Sequence, residues 1–266
     1  MVQVIAQSRS TDPCAACGLC CRSYLVPVFG HDVYRLVKRR GLDPRSFLFI
    51  CEQETVDAVG FLLAANGPTY GLALDKKNAL ELNQPCVFLV ENGDGTSRCD
   101  VYEDRPVACA AYPMGRAAVG VALLPNALCP PGSWSDDEPA REHWAVTLRR
   151  VARYRDTYVE VVRRWNAWVS STPGHSPPAE HFIAYVLQTY ERLEALDTEI
   201  GDAEVTAIEK GWGVLDTGSP RESGMDDEPA WLSYFRRARG VIDEFFPGLP
   251  PLPFARLSIV VNSQAH

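Results

Sequence analysis

Four cysteines stand within eight residues near the start of the chain, Cys14-Ala15-Ala16-Cys17-Gly18-Leu19-Cys20-Cys21. Two intervening residues let a tight loop turn successive thiolates toward one centre, and Gly18 gives the backbone freedom to do so. Three cysteines at C-x2-C-x2-C spacing, with a fourth from elsewhere, are a common ligand set for cubane iron–sulfur clusters. Structural zinc more often uses two separated C-x2-C knuckles. Here the other cysteines, Cys51, Cys86, Cys99, Cys109 and Cys129, are single and spread. The spacing favours an iron–sulfur cluster, with Zn2+ as the alternative. Neighbouring side chains in extended backbone point apart, so Cys20 and Cys21 can serve two metal centres, or one centre plus a free thiol.

The candidate ligands are Cys14, Cys17, Cys20, Cys21, Cys86, Cys99, Cys109 and Cys129. Cys51 lies beside Phe47, Leu48 and Ile50 and reads as a core residue. Cys109 falls in the first turn of a short helix that begins at Arg105-Pro106, where the helix dipole favours a thiolate. Arg105 is the candidate catalytic side chain. A guanidinium near thiolates could offset their charge or bind an anionic small molecule.

The other elements must position these residues. His31–Arg40 reads as a helix with Val33, Leu36 and Val37 on one face and Gly41 as its stop. Asp43-Pro44 predicts a second helix, with Cys51 near its end. Tyr70–Lys76 alternates like a strand. The runs Cys86–Val90 and Arg98–Tyr102 flank Asn92-Gly93, a strong hairpin signal. A two-residue loop there sets Cys86 directly opposite Cys99, with Cβ atoms about 4.5–5.5 Å apart. A loop at Asp94-Gly95 would offset the two thiols. Pro113 must end the Arg105 helix, and Arg116–Leu124 reads as a further strand.

Beyond Pro130-Pro131-Gly132 the period becomes helical. Trp144, Leu148, Val151, Tyr154, Tyr158, Val162, Trp165 and Val169 step by three or four. So do Ile183, Val186, Tyr190, Leu193, Leu196 and Ile200. A third helix is expected over about 228–245, and the tail after Pro247 is proline-punctuated. The fold class is therefore α+β. A loop-rich cysteine half (1–133) carries a small antiparallel hairpin or sheet and short helices, and a helical half (134–266) carries about three amphipathic helices. All nine cysteines lie in the first half and all six tryptophans in the second.

Twenty-six basic against 34 acidic residues give a net charge of −8. That argues against a general nucleic-acid or anionic-membrane surface. Arg149, Arg150, Arg153, Arg155, Arg163 and Arg164 concentrate on one helix, as a solvated face or as a docking surface for an acidic protein partner. Met1–Gln7 has no basic and apolar leader pattern, and no window approaches 18 uninterrupted apolar residues. A cytoplasmic, reduced chain is expected, in which cysteines serve as ligands rather than disulfides. The histidines His31, His143, His175, His181 and His266 show no paired metal spacing, and there is no G-x-G-x-x-G, P-loop or G-x-S-x-G.

Together these residues resemble a known family. Cys14-x2-Cys17-x2-Cys20-Cys21, then Cys86-Val-Phe-Leu, then Cys99-Asp-Val-Tyr102-Glu-Asp-Arg105-Pro106-x2-Cys109-x2-Tyr112-Pro113, is similar to the YkgJ-type cysteine-cluster family over about residues 12–130. The resemblance implies zinc or iron chelation by these cysteines. A bacterial flagellin-lysine N-methylase carries a similar cluster, which implies a redox or methyl-transfer-like role.

Overall fold

The computed structural model describes residues 14, 16–53, 57–78, 84–93, 96–117, 120–130, 132–135, 137–172, 174–213 and 229–244. The first ten residues and the tail after Pro247 lie outside them.

The first half is α+β. It opens on one helical turn, α1 (Leu19–Ser23), and then α2 (Gly30–Arg40). In α2 the Asp32 carboxylate accepts the Phe29 N–H at 3.0 Å. Lys38, Arg39 and Arg40 occupy the last turn, where cations oppose the dipole, and Gly41 stops the helix at φ 67°. Next come β1 (Leu48–Glu52), β2 (Phe61–Leu62) and β3 (Thr69–Leu74), an antiparallel sheet in the order β1-β3-β2. A hairpin of β4 (Leu89–Glu91) and β5 (Ser97–Cys99) follows, then α3 (Val107–Ala111) and a hairpin of β6 (Met114–Arg116) and β7 (Val121–Leu123).

Three local expectations are corrected here. The helix expected from Asp43 to Cys51 is a single 3-10 turn, Pro44–Ser46, capped by Asp43, after which the chain enters β1. Asp43-Pro44 signals a start but not how far the helix runs. The run Leu48–Cys51 pairs with β3, Ile50 against Leu72 and Cys51 against Gly71, and this sheet partner outweighs local propensity.

The β4–β5 register also differs. Leu89, not Cys86, faces Cys99, and Glu91 faces Ser97. The Asn92 N–H donates to the Thr96 carbonyl at 2.9 Å and its side-chain amide to Thr96 Oγ1 at 2.8 Å. That pairing closes a longer loop than Asn92-Gly93 alone. Cys86 sits in a turn before β4, its carbonyl accepting the Leu89 N–H at 2.9 Å. Finally, the strand expected over Arg116–Leu124 is two strands, folded back where Gly120 adopts φ 72°.

The second half is helical: α4 (Glu138–Ser171), α5 (Ala179–Ile200), α6 (Asp202–Gly211) and α7 (Ala230–Glu244). The sequence pattern did not reveal α6. It buries only Ile208 and the charged Glu209, so it lacks an apolar stripe. Asp137 caps α4 by accepting the Ala140 N–H at 2.9 Å, with Pro139 in the first turn.

The apolar core draws on both halves, joining Val28, Leu36, Phe47 and Phe61 to Trp165, Phe182 and Tyr190. Phe61 stacks on Phe182 at 3.9 Å. Trp165 Nε1 donates to the Leu62 carbonyl at 2.7 Å, and Asn166 grips β2 from both sides, accepting the Leu62 N–H and donating to the Gly60 carbonyl. The arginines of α4 are largely engaged within the chain. Arg149 pairs with Glu142, Arg163 with Glu160 and Asp243, and Arg150 with Glu209. Arg153 is buried and pairs with Asp197 and Glu209. Among the described residues no helix is long and apolar enough to cross a membrane.

Candidate metal centre

The cysteine loop is shaped by two left-handed residues, Ala16 at φ 52° and Gly18 at φ 68°. A Cβ on Gly18 would meet Arg22 Nη1 at 2.3 Å and Ser97 Oγ at 3.2 Å, so any other side chain is crowded as well as strained there. The Ala16 carbonyl accepts the Ser97 N–H at 3.3 Å, tying the loop to β5. Cys20 and Cys21 are successive residues of α1, so their side chains leave the helix about 100° apart.

Four further elements bring thiols to this loop. The Cys86 N–H donates to the Cys21 carbonyl at 2.9 Å, which seats the turn before β4 against α1. Cys99 closes β5. Cys109 is the third residue of α3. Cys129 follows a loop pinned by two tyrosines. Tyr24 Oη donates to the Asn126 carbonyl, Tyr112 Oη accepts the Leu128 N–H, and the rings meet edge to face at 5.6 Å.

Burial pushes the thiols of Cys14, Cys99 and Cys109 up, and those of Cys86 and Cys129 up to about 11. Cys21 goes the other way, because the Cys20 thiol donates to its sulfur and Lys76 and Arg22 stand near. The same charges link the set. Cys99 acts on Cys86, and both act on Cys109; Cys17 and Cys14 act on Cys129; Cys21 acts on most of them. Cys86 and Cys99 therefore share a neighbourhood although they are not cross-strand partners. Cys51 interacts only with backbone, its thiol 3.7 Å from the Gly71 carbonyl, and stands apart.

So many thiols in a low-dielectric setting resist ionising together, and a bound cation removes that penalty by displacing the protons. The donor set is all sulfur with nearby cations, which suits zinc and iron alike. Among the described residues no three His, Cys, Asp or Glu side chains are gathered closely enough to ligate one ion.

Arg105, singled out from sequence, stacks over the Tyr102 ring at 3.8 Å and donates to the Tyr102 carbonyl at 3.0 Å. Its charge reaches Cys14 and Cys99 and favours their thiolates. Two residues escaped sequence reasoning. Lys76 Nζ donates to the carbonyls of Cys21 at 2.9 Å and Arg22 at 3.4 Å, and burial lowers its pKa despite the surrounding thiols. Nothing in its spacing marks it. Asp32 is fully buried and accepts the Val107 N–H at 2.9 Å as well as that of Phe29. It locks the start of α3, and so Cys109, to the start of α2. Its place in the first turn of α2 is the one signal sequence offered.

Burial raises Asp32 from 3.8 to about 6. Asp32→Ala leaves two buried amides without acceptors and should cost about 2–4 kcal/mol at neutral pH, read by urea unfolding. The folded protein holds the Asp32 proton more tightly than the unfolded chain does. Stability from this group is therefore lost as pH rises from about 4 to about 6. The gap between wild type and variant should narrow over that window and then level; a gap that widens would refute the assignment.

Residues 13–130 match a family model, CxxCxxCC, described as "Putative zinc- or iron-chelating domain". The match begins one residue before Cys14 and ends one after Cys129, so the segment that carries the candidate ligands is similar to that cysteine-cluster family. Zinc or iron chelation is thus what the description of the matching family supports for this segment. No curated protein and no solved structure matches the chain.

Proposed function

We propose that this chain holds an iron–sulfur cluster through its cysteine loop and acts in redox or group-transfer chemistry. The observation that carries the reading is the C-x2-C-x2-C loop closed by left-handed Ala16 and Gly18, with further thiols delivered from four other elements. When bound, such a cluster supplies one-electron transfer or a site for group transfer. The chain's own residues do the rest. Lys76 and Arg105 bring positive charge to the thiolates, and in this reading Arg105 would attract an anionic small molecule by that charge. The methylase-like role implied by the resemblance falls within this reading, and the compartment proposed is the reducing cytoplasm.

Protein purified without oxygen should be brown, with a broad band near ~400 nm, and should contain iron and acid-labile sulfide. A colourless protein holding only zinc would overturn this reading and leave the zinc-bound structural module in its place, since d¹⁰ zinc–thiolate sites lack colour.

A further inference from the structure

We infer that Lys76 is a positioning residue of the metal centre, whose ammonium fixes the helical turn of Cys20 and Cys21 against the turn that carries Cys86. This rests on metal binding by the cysteine segment and adds to it a residue that binds no metal itself. The argument starts from β3, the middle strand of its sheet, with Leu72, Ala73 and Leu74 all buried. The chain runs on from β3 as Asp75-Lys76-Lys77, and the Asp75 N–H donates to the Phe47 carbonyl at 2.8 Å. This extension therefore starts from a fixed strand.

On one side the extension carries the Cys86 turn. The Asp75 carbonyl accepts the Val87 N–H at 3.1 Å, and the Lys77 N–H donates to the Pro85 carbonyl at 2.9 Å. Lys76 and Cys86 face each other across this short antiparallel bridge. Lys77 Nζ adds a bond to the Leu89 carbonyl at 2.6 Å. On the other side the extension holds α1. Lys76 Nζ donates to the carbonyls of Cys21 at 2.9 Å and Arg22 at 3.4 Å. The Cys86 N–H donates to the same Cys21 carbonyl at 2.9 Å, so Lys76, Cys86 and Cys21 form a closed triangle of main-chain and ammonium contacts.

α1 needs such a tie. It is five residues long and buries none of them, so neither helix length nor packing fixes its place. Its last carbonyls have no acceptor role within the helix, and a charged donor supplies the stronger hydrogen bond to them. Lys76 is itself half-buried. Groups that orient metal ligands without touching the metal commonly change metal affinity by about 10–100-fold when removed. The ammonium does this work through the Cys21 main chain, and it places a positive charge beside thiols that become negative on ligation.

The test exchanges cobalt(II) into the full chain, because its thiolate spectrum reports ligand geometry whether the native metal is zinc or iron. Wild type should take up cobalt and show thiolate bands. Lys76→Met should hold cobalt at least about 10-fold more weakly in competition with a chelator, with altered bands. Lys76→Arg keeps the charge and the donor and should recover most of the affinity. If Lys76→Met does not fold, Lys76→Gln, which keeps a donor without the charge, replaces it and should also bind more weakly than wild type. A Lys76→Met protein with wild-type affinity and bands would overturn the inference, and so would Lys76→Arg binding no better than Lys76→Met. Wild type that takes up no cobalt would instead overturn the metal reading on which the inference rests, so the two failures are separate observations.

Discussion

Replacing Cys21 with serine should strip metal from the cysteine site and lower the stability of the whole protein more than any other single thiol substitution. Cys21 is the hub of the set. Its charge acts on Cys14, Cys20, Cys86, Cys99 and Cys109, more thiols than any other cysteine reaches. Its carbonyl also accepts from Cys86 N and Lys76 Nζ. Serine keeps those main-chain bonds and changes only the sulfur, so the effect isolates ligation. Structural thiolate sites contribute on the order of 10 kcal/mol of coupled folding free energy. That is comparable with the entire net stability of a domain, about 5–15 kcal/mol. Cys21→Ser should therefore unfold like wild type treated with a chelator, tens of degrees below the metal-loaded protein. Cys51→Ser, which alters a thiol apart from the group, should retain full metal content. A Cys21→Ser protein with wild-type metal content and melting temperature would show that Cys21 is no ligand.

Arg153→Met should cost about 3–5 kcal/mol without touching the metal. The Arg153 side chain is 5% exposed and bridges Asp197 at 3.3 Å and Glu209 at 3.4 Å, joining α4 to α5 and α6. Removing it leaves the buried Glu209 carboxylate and the half-buried Asp197 carboxylate without this cation. Glu209 keeps Arg150 at 2.9 Å, whereas Asp197 keeps only the neutral Tyr234 hydroxyl at 2.6 Å among its described hydrogen bonds and ion pairs. Asp197→Asn in the same chain should therefore restore a substantial part of the loss. Urea unfolding followed by tryptophan fluorescence reads this helical region directly, since Trp212 packs against Tyr234 and donates to Asp156. A loss below about 1 kcal/mol would mean that water reaches the network and screens it.

The parts of this protein that sequence disclosed are those where local chemistry decides. Gly41 and the periodic Val33 and Leu36 announce α2, and the steps from Trp144 to Val169 announce α4. The C-x2-C-x2-C spacing announces a ligand loop. The misread parts are those where a distant partner decides. Cys51 lies on a strand because β3 pairs with it. The hairpin register follows from Thr96 answering Asn92 and from Cys86 being drawn into a turn by the Cys21 carbonyl. Arg153 looked like part of a solvated face because its partners lie 44 and 56 residues further along the chain. Lys76 was invisible for the same reason, and the sequence showed only the local half of Asp32's role, since the fold alone brings Val107 N–H to it.

The central claim is that all the cysteines except Cys51 hold metal, and thiol accessibility tests it most directly. Native protein prepared without oxygen would be treated with an alkylating reagent, with and without prior chelation, and the modified cysteines mapped by mass spectrometry. Before chelation the other eight cysteines should be protected, and the slow reaction of Cys51, whose thiol burial pushes up, should not change on chelation. After chelation Cys14, Cys17, Cys20, Cys21, Cys86, Cys99, Cys109 and Cys129 should all become reactive. Ready alkylation of those eight before chelation, with no change after it, would contradict the account.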